Sequence, residues 1–290
     1  MRSKSQESRT EPDPTRAGSA RSGTEYVAFD FETTGLLAET DRIVEVGAVR
    51  FGPDGEELGR FQTLVNPGRA MSPSAQRIHG ISDADLRNAP RAGEVLPYFL
   101  DFLDAGPGRP TTLVAHNAAF DAGFLGRELG RLNYPLPETP VVDTLALARK
   151  RHPDFPTHRL DALAQVFGLD TDGSHRALSD SLRVKGLWFA LKGHESPPES
   201  LTAYPVRDAG RSGSTAPTPV GWDLLVEAMT QGWRIRMEYS GGSRGPAPRF
   251  ITPRSFVHKG GTAYLVALCH LDAFEKSFRL DRVTRYEVVR

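Results

Sequence analysis

In the first two thirds of the chain, apolar segments of strand length alternate with segments of helical periodicity. The apolar segments predict strands near 26–31, 43–51, 58–65 and 112–115. Helical spacing predicts a helix near 92–103, and mostly helices follow as far as residue 191. Strands that come first and are then mixed with helices indicate an α/β domain with one mixed sheet flanked by helices.

The last quarter of the chain has a different pattern. A helix is predicted from Trp222 to Gln231, and strand-like segments follow it at 234–239, 250–253, 263–269, 276–280 and 285–289. Short strands separated by turns are typical of a small barrel or sandwich.

Two segments are poor in apolar residues. Residues 1–23 are rich in Ser, Arg, Pro, Thr and Glu, and such a segment buries too little surface to offset the entropy of ordering. A second segment is dominated by Ser, Pro, Thr, Gly and Ala, as linkers are. We therefore predict a disordered segment at 1–23, a first domain at 24–194, a linker at 195–219 and a second domain at 220–290.

Composition narrows the class of protein. No apolar stretch is long enough for a membrane span, and none resembles a signal peptide, so we expect a cytoplasmic protein without a membrane partner. Cys269 is the one cysteine, which excludes an intramolecular disulfide and a thiolate metal cluster. The chain has no net charge, yet residues 220–290 carry 11 basic and 7 acidic side chains (net +4), whereas 24–219 carry 20 and 26 (net −6). The second domain is the basic one.

Two acidic side chains interrupt the first apolar strand. Because side chains alternate along a strand, Asp30 and Glu32 are expected on one face, and Phe29 and Phe31 on the other, in the core. Two carboxylates that share a buried face repel each other and lose hydration, unless a cation compensates. The pair predicts a cation site; the alternative is a pair of solvated acids at an exposed strand end.

Two further segments place acids and a histidine at the starts of helices. Asp121 lies in the first turn of a helix that follows the strand at 112–115, where an acid also suits the helix dipole. His175 and Asp180 lie at the start of a later helix, a little over one turn apart, so both can approach one point. Taken singly, Asp121 and His175 also have ordinary structural explanations.

In order, spacing and flanking residues, the three segments resemble the three motifs of the DnaQ-like, or DEDDh, 3′–5′ exonuclease family, which includes proofreading subunits of bacterial DNA polymerases. The resemblance covers about 24–191. It implies a ribonuclease H-like fold with the acids gathered at one end of the central strands. The positions that match the motifs are Asp30, Glu32, Asp121, His175 and Asp180.

The residue types indicate the chemistry. Oxygen ligands suit Mg²⁺ or Mn²⁺, whereas zinc would call for histidine and thiolate ligands. We expect two such ions, held by the four carboxylates with Asp30 as the bridging ligand. One ion would activate the attacking water and the other would stabilise the leaving oxygen, while His175 accepts the water proton. The product would be a nucleoside 5′-monophosphate.

The resemblance also implies contacts with substrate near the motifs. Backbone groups around Thr33, Thr34 and Gly35 would meet the terminal nucleotide, and Leu36 its base. Asn117 could hydrogen-bond the scissile strand. His79 belongs to a segment that resembles one near the substrate groove, and a loop histidine that caps the helix near Ser82 is an equal alternative. Asp143 is most simply a helix cap.

Segments of the second domain, at 249–253, 263–267 and 278–283, resemble a WYL domain. The triplet Ala263-Tyr264-Leu265 lacks the first aromatic residue, and Lys276 stands where that family usually has arginine. The resemblance implies an Sm/SH3-like barrel with a regulatory, nucleic-acid-binding or ligand-sensing role. Basic residues with interleaved aromatics suit a single strand, and the candidate contacts are Arg249, Arg254, Tyr264, Lys276, Arg279 and Arg282; a solvated basic face is the alternative.

We therefore expect a metal-dependent 3′–5′ exonuclease that acts on the 3′ ends of single-stranded nucleic acid, DNA before RNA, in trimming or DNA repair. An RNA-directed exonuclease stays open as an alternative. So do a non-catalytic sensor of nucleic-acid ends and a proofreading subunit bound to a DNA polymerase. The sequence sets no oligomeric state.

Overall fold

The structure is a computed structural model that describes residues 24–104, 110–170, 175–208, 219, 221–240, 248–259 and 261–289. Its first domain contains one mixed sheet in the order β3-β2-β1-β4-β5-β6. The strands are β1 (Glu25–Thr33), β2 (Ile43–Phe51), β3 (Glu57–Leu64), β4 (Thr111–Ala115), β5 (Val141–Asp143) and β6 (Ala203–Tyr204). β1, β4 and β5 run parallel, and the other neighbours are antiparallel.

Helices cover both faces of this sheet. They are α1 (Pro73–His79), α2 (Asp83–Leu86), α3 (Ala92–Leu103), α4 (Ala118–Leu132), α5 (Thr144–Arg151), α6 (Leu160–Val166) and α7 (Ala177–Ala190). α3 and α4 pack on one face, where Phe29 and Phe31 point, and α5, α6 and α7 pack on the other, with Tyr26 and Ala28. Since β1 is central and buried on both faces, its apolar composition follows from its position.

The expected mixed α/β architecture is confirmed, including the strands near 26–31, 43–51, 58–65 and 112–115 and the helix near 92–103. α1, β5 and β6 were not predicted. β5 and β6 have three and two residues, too few for a strand to show an alternating pattern. None of the described helices is long and apolar enough to cross a membrane.

The first domain extends beyond the boundary that composition predicts. β6 pairs with β5, Val206 lies in the core beside α4, and Arg127 forms an ion pair of 3.2 Å with the buried Asp208. Residues 195–208 therefore belong to the first domain, and the predicted linker begins too early. The rest of that linker at 209–218, and the segment 1–23, lie outside the described residues.

The second domain is an antiparallel sheet in the order β10-β9-β8-β7-β11, covered by one helix. Its elements are α8 (Asp223–Gln231), β7 (Arg234–Tyr239), β8 (Arg249–Lys259), β9 (Thr262–Cys269), β10 (Phe274–Arg279) and β11 (Val283–Val289). Leu225 and Ala228 of α8 are buried against the sheet, as is Cys269. Among the described residues no ladder joins β10 to β11, so the expected barrel is open between these edge strands.

Candidate active site

Three carboxylates from two elements meet at one point beside the central strand. β1 places Asp30 and Glu32 on the face covered by α7, and the first turn of α7 contributes Asp180. One carboxylate oxygen of each residue lies within 4.8 Å of the others. Strand alternation thus aligns the first two acids, as the sequence predicts, and helix packing adds the third.

Asp121 lies beside this group, in the first turn of α4. Its side chain is 2% exposed, and its Oδ1 accepts a hydrogen bond of 3.2 Å from the backbone nitrogen of Phe31. Asp121 also contributes to the raised pKa of Asp30, after burial. The structure therefore brings three of the predicted acids to one point and places Asp121 close enough to Asp30 to affect its pKa.

The electrostatics of the site are unfavourable for four free carboxylates. Burial, followed by repulsion from Asp180 and Glu45, raises the pKa of Glu32 to about 8. Burial, followed by the neighbouring acids, raises the pKa of Asp30 well above its usual range, and burial also raises those of Asp121 and Asp180. Crowded oxygen donors that resist ionisation without a counter-charge fit divalent cations such as Mg²⁺ or Mn²⁺.

One buried cation already touches the cluster. Arg183, 3% exposed, donates a short hydrogen bond from Nη1 to Oδ1 of Asp180 and another of 2.9 Å from Nε to the carbonyl of Asp170. One guanidinium neutralises only part of the negative charge that four ionised acids would carry, so further cations are needed to balance it. Arg183 was not predicted, although a basic residue one helical turn after an acid of the cluster is a detectable signal in the sequence.

His175 lies at the rim of a cleft of about 570 Å³ that Asp30 and Asp180 also line. Its side chain is 39% exposed, and Nε2 lies 3.9 Å from Oδ2 of Asp161. The backbone of His175 is left-handed, with φ of 61°, directly before α7. The structure thus places His175 in the wall of the same cleft as Asp30 and Asp180. It also adds Asp161, which the sequence analysis did not identify.

The loop after β1 is ordered by one aspartate. Asp41 accepts hydrogen bonds from the hydroxyl of Thr34 (3.2 Å) and the backbone nitrogen of Leu37 (3.0 Å). A Cβ atom on Gly35 would lie 2.5 Å from the Asp41 carboxylate, so glycine allows this close approach. Leu36, in the same loop, is 68% exposed and presents an apolar side chain to solvent.

The other predicted substrate residues have different environments. His79 is buried, and its Nδ1 accepts a hydrogen bond of 3.1 Å from the nitrogen of Ile81, as a loop-capping histidine does. Asn117 lines the cleft with left-handed backbone, and its nitrogen donates to Asp143 at 2.9 Å. Asp143 also accepts from the nitrogen of Leu145 and is a helix cap, as predicted.

The candidate contacts of the second domain divide into buried and exposed residues. Arg249 is 3% exposed and lies 3.7 Å from Asp272, so its guanidinium does not offer a surface to a phosphate. Lys276 pairs with the same Asp272 at 2.7 Å. The more exposed candidates are Arg254, Arg279 and Arg282, and Tyr264 lies opposite Arg279 in the β9–β10 ladder.

The two domains touch next to the loop after β1. The guanidinium of Arg69, from the first domain, lies 4.1 Å from the ring centre of Phe274 and donates to the carbonyl of Glu275 at 3.4 Å. Arg69 also donates to the carbonyl of Thr40 and lies 3.7 Å from Asp41. Residues 34–41 are therefore linked through Arg69 to the second domain.

Glu45 and Arg176 form a further ion pair near the site that the sequence analysis did not identify. Glu45 is a fully buried acid on β2, directly across from Glu32, and it binds Arg176, the neighbour of His175. The signal was present, since Glu45 is the one charged residue in the segment Ile43–Val49. Its partner, however, is 131 residues away.

Comparisons with known proteins agree with this geometry. A family model described as "Exonuclease" (RNase_T) matches residues 27–186, and a WYL domain model matches 222–288. DNA polymerase III subunit epsilon of Treponema pallidum is 41% identical over 173 residues, which cover 59% of this chain and 78% of that protein. A PolC-type DNA polymerase III of Oceanobacillus iheyensis is 39% identical over 54% of this chain, but only 10% of the polymerase is covered.

A solved structure shows the same fold. The nuclease domain of 3′hExo, described as a DEDDh family member bound to rAMP, matches 64% of this chain and 98% of its own with a TM-score of 0.53 and 20% identity. The expected ribonuclease H-like fold of the first domain is thereby confirmed.

Proposed function

The chain belongs to the RNase_T exonuclease family and is a 3′–5′ exonuclease of the DEDDh type, and from this premise we propose that it degrades single-stranded DNA to nucleoside 5′-monophosphates with two divalent cations. The convergence of Asp30, Glu32 and Asp180, with Asp121 beside them, carries the proposal. DNA is the proposed substrate because the relative with 41% identity is named as a DNA polymerase subunit.

The residues of the chain divide the work of hydrolysis. Asp30, Glu32, Asp121 and Asp180 would hold the cations, which when bound lower the pKa of the attacking water and stabilise the leaving oxygen. His175, half exposed at the rim of the cleft, accepts the water proton, since a neutral imidazole nitrogen can act as a general base. The exposed Leu36 supports the terminal base, and Asn117 in the cleft wall orients the strand.

Stepwise shortening of matched oligonucleotides tests the proposal. A single-stranded DNA and an RNA of the same sequence, each labelled at the 5′ end, are incubated with the full chain and Mg²⁺ or Mn²⁺. We expect a ladder of DNA products that shorten from the 3′ end and that vanish with chelator or in Asp30→Asn. Glu57→Gln, which changes an exposed acid on β3 that pairs with Arg60, is the matched control and should leave the ladder unchanged.

The outcomes separate the alternatives. A ladder with RNA and none with DNA would replace the proposed substrate with RNA. Tight binding of 3′ ends without any product would favour a non-catalytic sensor. A ladder that persists in Asp30→Asn would contradict the metal site itself.

For the second domain we propose a role as a tether for the single strand. Arg254 and Arg282 are exposed, and the half-buried Arg279 pairs with the exposed Asp281 at 2.6 Å. The half-buried Tyr264 lies opposite Arg279 in the β9–β10 ladder, and cations interleaved with aromatic rings suit a single strand. Arg69, which contacts Phe274, also contacts Thr40 and Asp41 of the loop after β1, and this link supports a path for the strand from the second domain toward the acids.

Salt dependence tests the tether. At low salt we expect the double variant Arg279→Ala/Arg282→Ala to have a higher KM for a long oligonucleotide than the parent. The difference between the two KM values should shrink as salt increases, because the variant neutralises fewer phosphates and releases fewer counterions on binding. The kcat should not change. Equal KM values at low salt in the variant and the parent would rule out a tether formed by these residues.

A further inference from the structure

A buried acid outside the metal cluster holds the start of α7. Glu45 lies on β2, is 0% exposed and pairs in register with Glu32 of β1. A carboxylate buried this completely is retained only when partners satisfy its oxygens and its charge.

Both oxygens of Glu45 are fully engaged. Arg176 donates from Nη2 at 2.7 Å and from Nε at 3.0 Å, and the backbone nitrogen of Ala177 donates at 3.1 Å. Gln62 adds a bond of 3.1 Å from β3. Burial alone would raise the pKa of Glu45, but the hydrogen bonds from Arg176 and Ala177 outweigh it, and the pKa lies below its usual value. Glu45 is therefore an ionised anchor with no free oxygen for a cation or substrate.

The anchored residues directly follow the histidine in the chain. Arg176 is the N-cap of α7 and the neighbour of His175, whose backbone is left-handed with φ of 61°. A residue other than glycine keeps a left-handed backbone conformation when the surrounding structure holds it there. On the α7 side of His175, Glu45 supplies this constraint, because it accepts hydrogen bonds from the guanidinium of Arg176 and the backbone nitrogen of Ala177.

A backbone contact keeps the same two elements in register. A Cβ atom on Gly47 would lie 2.1 Å from the backbone nitrogen of Leu178, so β2 and α7 touch without an intervening side chain. Ser181 donates to the carbonyl of Gly47 at 2.9 Å. Direct contact with β2 therefore fixes the position of the start of α7.

We infer that Glu45 is a positioning residue for His175: through Arg176 and Ala177 it sets where the imidazole stands relative to the catalytic acids. The inference rests on the proposed function, in which His175 accepts the proton of the attacking water. Glu45 does not touch substrate or cations in this role. A rival explanation is that Glu45 acts on Glu32, its cross-strand neighbour, and so on the acids themselves.

Steady-state kinetics of the full chain with Mg²⁺ and a single-stranded DNA test the inference. In Glu45→Gln we expect kcat to fall by up to about 10²-fold, the loss that a misplaced catalytic group produces, with KM within about twofold of the parent. Glu57→Gln, an exposed acid of β3 with its own arginine partner, is the matched control and should keep the parental kcat. The midpoint of thermal unfolding confirms that each variant is folded at the assay temperature.

Arg176→Lys provides a second variant if Glu45→Gln does not fold. Lysine keeps the charge but not the two-point contact, and the side chain of Arg176 is 44% exposed, so the fold should tolerate the change. We expect a smaller fall in kcat, again without a change in KM. If Glu45→Gln and Arg176→Lys, or whichever of the two folds, keep the parental kcat, the inference is overturned.

The combination with His175→Ala decides between the two explanations. If Glu45 acts through His175, then Glu45→Gln/His175→Ala has the same residual kcat as His175→Ala alone. An equal fold-loss in both backgrounds would overturn the inference and assign Glu45 to the acids or to the fold in general. If His175→Ala keeps the parental kcat, the proposed base itself is wrong, and this outcome is distinct from a failure of the positioning role.

Discussion

Replacement of Glu32 by glutamine should stabilise the metal-free protein at alkaline pH. Burial and the neighbouring Asp180 and Glu45 raise the pKa of Glu32 from 4.5 to about 8 in the folded state. At about 1.4 kcal/mol for each factor of ten in proton affinity, this difference corresponds to about 5 kcal/mol of folding free energy. Ionisation of the Glu32 carboxylate in the folded protein would lower the stability by this amount, whereas a glutamine is neutral at every pH.

The direction of the pH dependence follows from the raised pKa. Because folded Glu32 holds its proton more tightly than the unfolded chain does, its contribution to stability is fully present below pH 4.5. That contribution is lost as the pH rises through about 8. The parent protein should therefore become less stable between these values, and Asp30, Asp121 and Asp180, whose pKa values are also raised, add to the loss.

Urea unfolding in the presence of chelator measures this effect. We expect Glu32→Gln and the parent to have similar free energies of unfolding near pH 4.5. The variant should be more stable by several kcal/mol near pH 8.5. The control Glu57→Gln, at an exposed salt bridge, should follow the parent at both values. A Glu32→Gln variant that is equally or less stable than the parent at the higher pH would refute the electrostatic reasoning.

Three further predictions concern metal, packing and domain contact. Mn²⁺ should raise the midpoint of thermal unfolding, since an ion that binds only the folded state stabilises it; Asp30→Asn should remove this increase, and an equal increase in the variant would place the ion elsewhere. Gly47→Ala should lower the free energy of unfolding by about 1–3 kcal/mol or more, because the new Cβ atom would meet the backbone of Ala177 and Leu178. The same urea midpoint in the variant and the parent would show that α7 can shift to make room. Phe274→Ala should weaken the domain contact by about 0.5–2 kcal/mol and increase the radius of gyration in small-angle scattering, since Arg69 loses its ring; an unchanged radius would mean that other contacts hold the domains.

Local patterns predicted how the acids lie within their own strands and helices. The alternation of β1 assigns Asp30 and Glu32 to one face and Phe29 and Phe31 to the core, and the structure has this arrangement. The helix positions of Asp121 and Asp180 were likewise visible, because a first helical turn is a local feature. Resemblance to family motifs then related the three segments to one another.

The domain boundary was predicted less well, for a physical reason. Residues 195–208 have the composition of a linker, yet Ala203 and Tyr204 add a strand to the sheet, and Asp208 is held by Arg127. These contacts use backbone hydrogen bonds and one ion pair rather than a long apolar segment. Amino-acid composition predicts whether a segment can bury apolar side chains, but it does not predict whether the backbone of that segment pairs with a strand.

By itself, the sequence determined which residue types occur, which face they occupy in the strands and helices with a clear period, and the order of the chemical groups along the chain. These properties follow from the backbone periods of two and 3.6 residues, which act over short distances. Only the tertiary structure decided which groups became neighbours. The pairing of Glu45 with Arg176, the approach of Asp161 to His175 and the contact of Arg69 with Phe274 each join residues far apart in the chain or in different elements. Such neighbours depend on strand register and helix packing, which the whole core sets at once and no local pattern encodes.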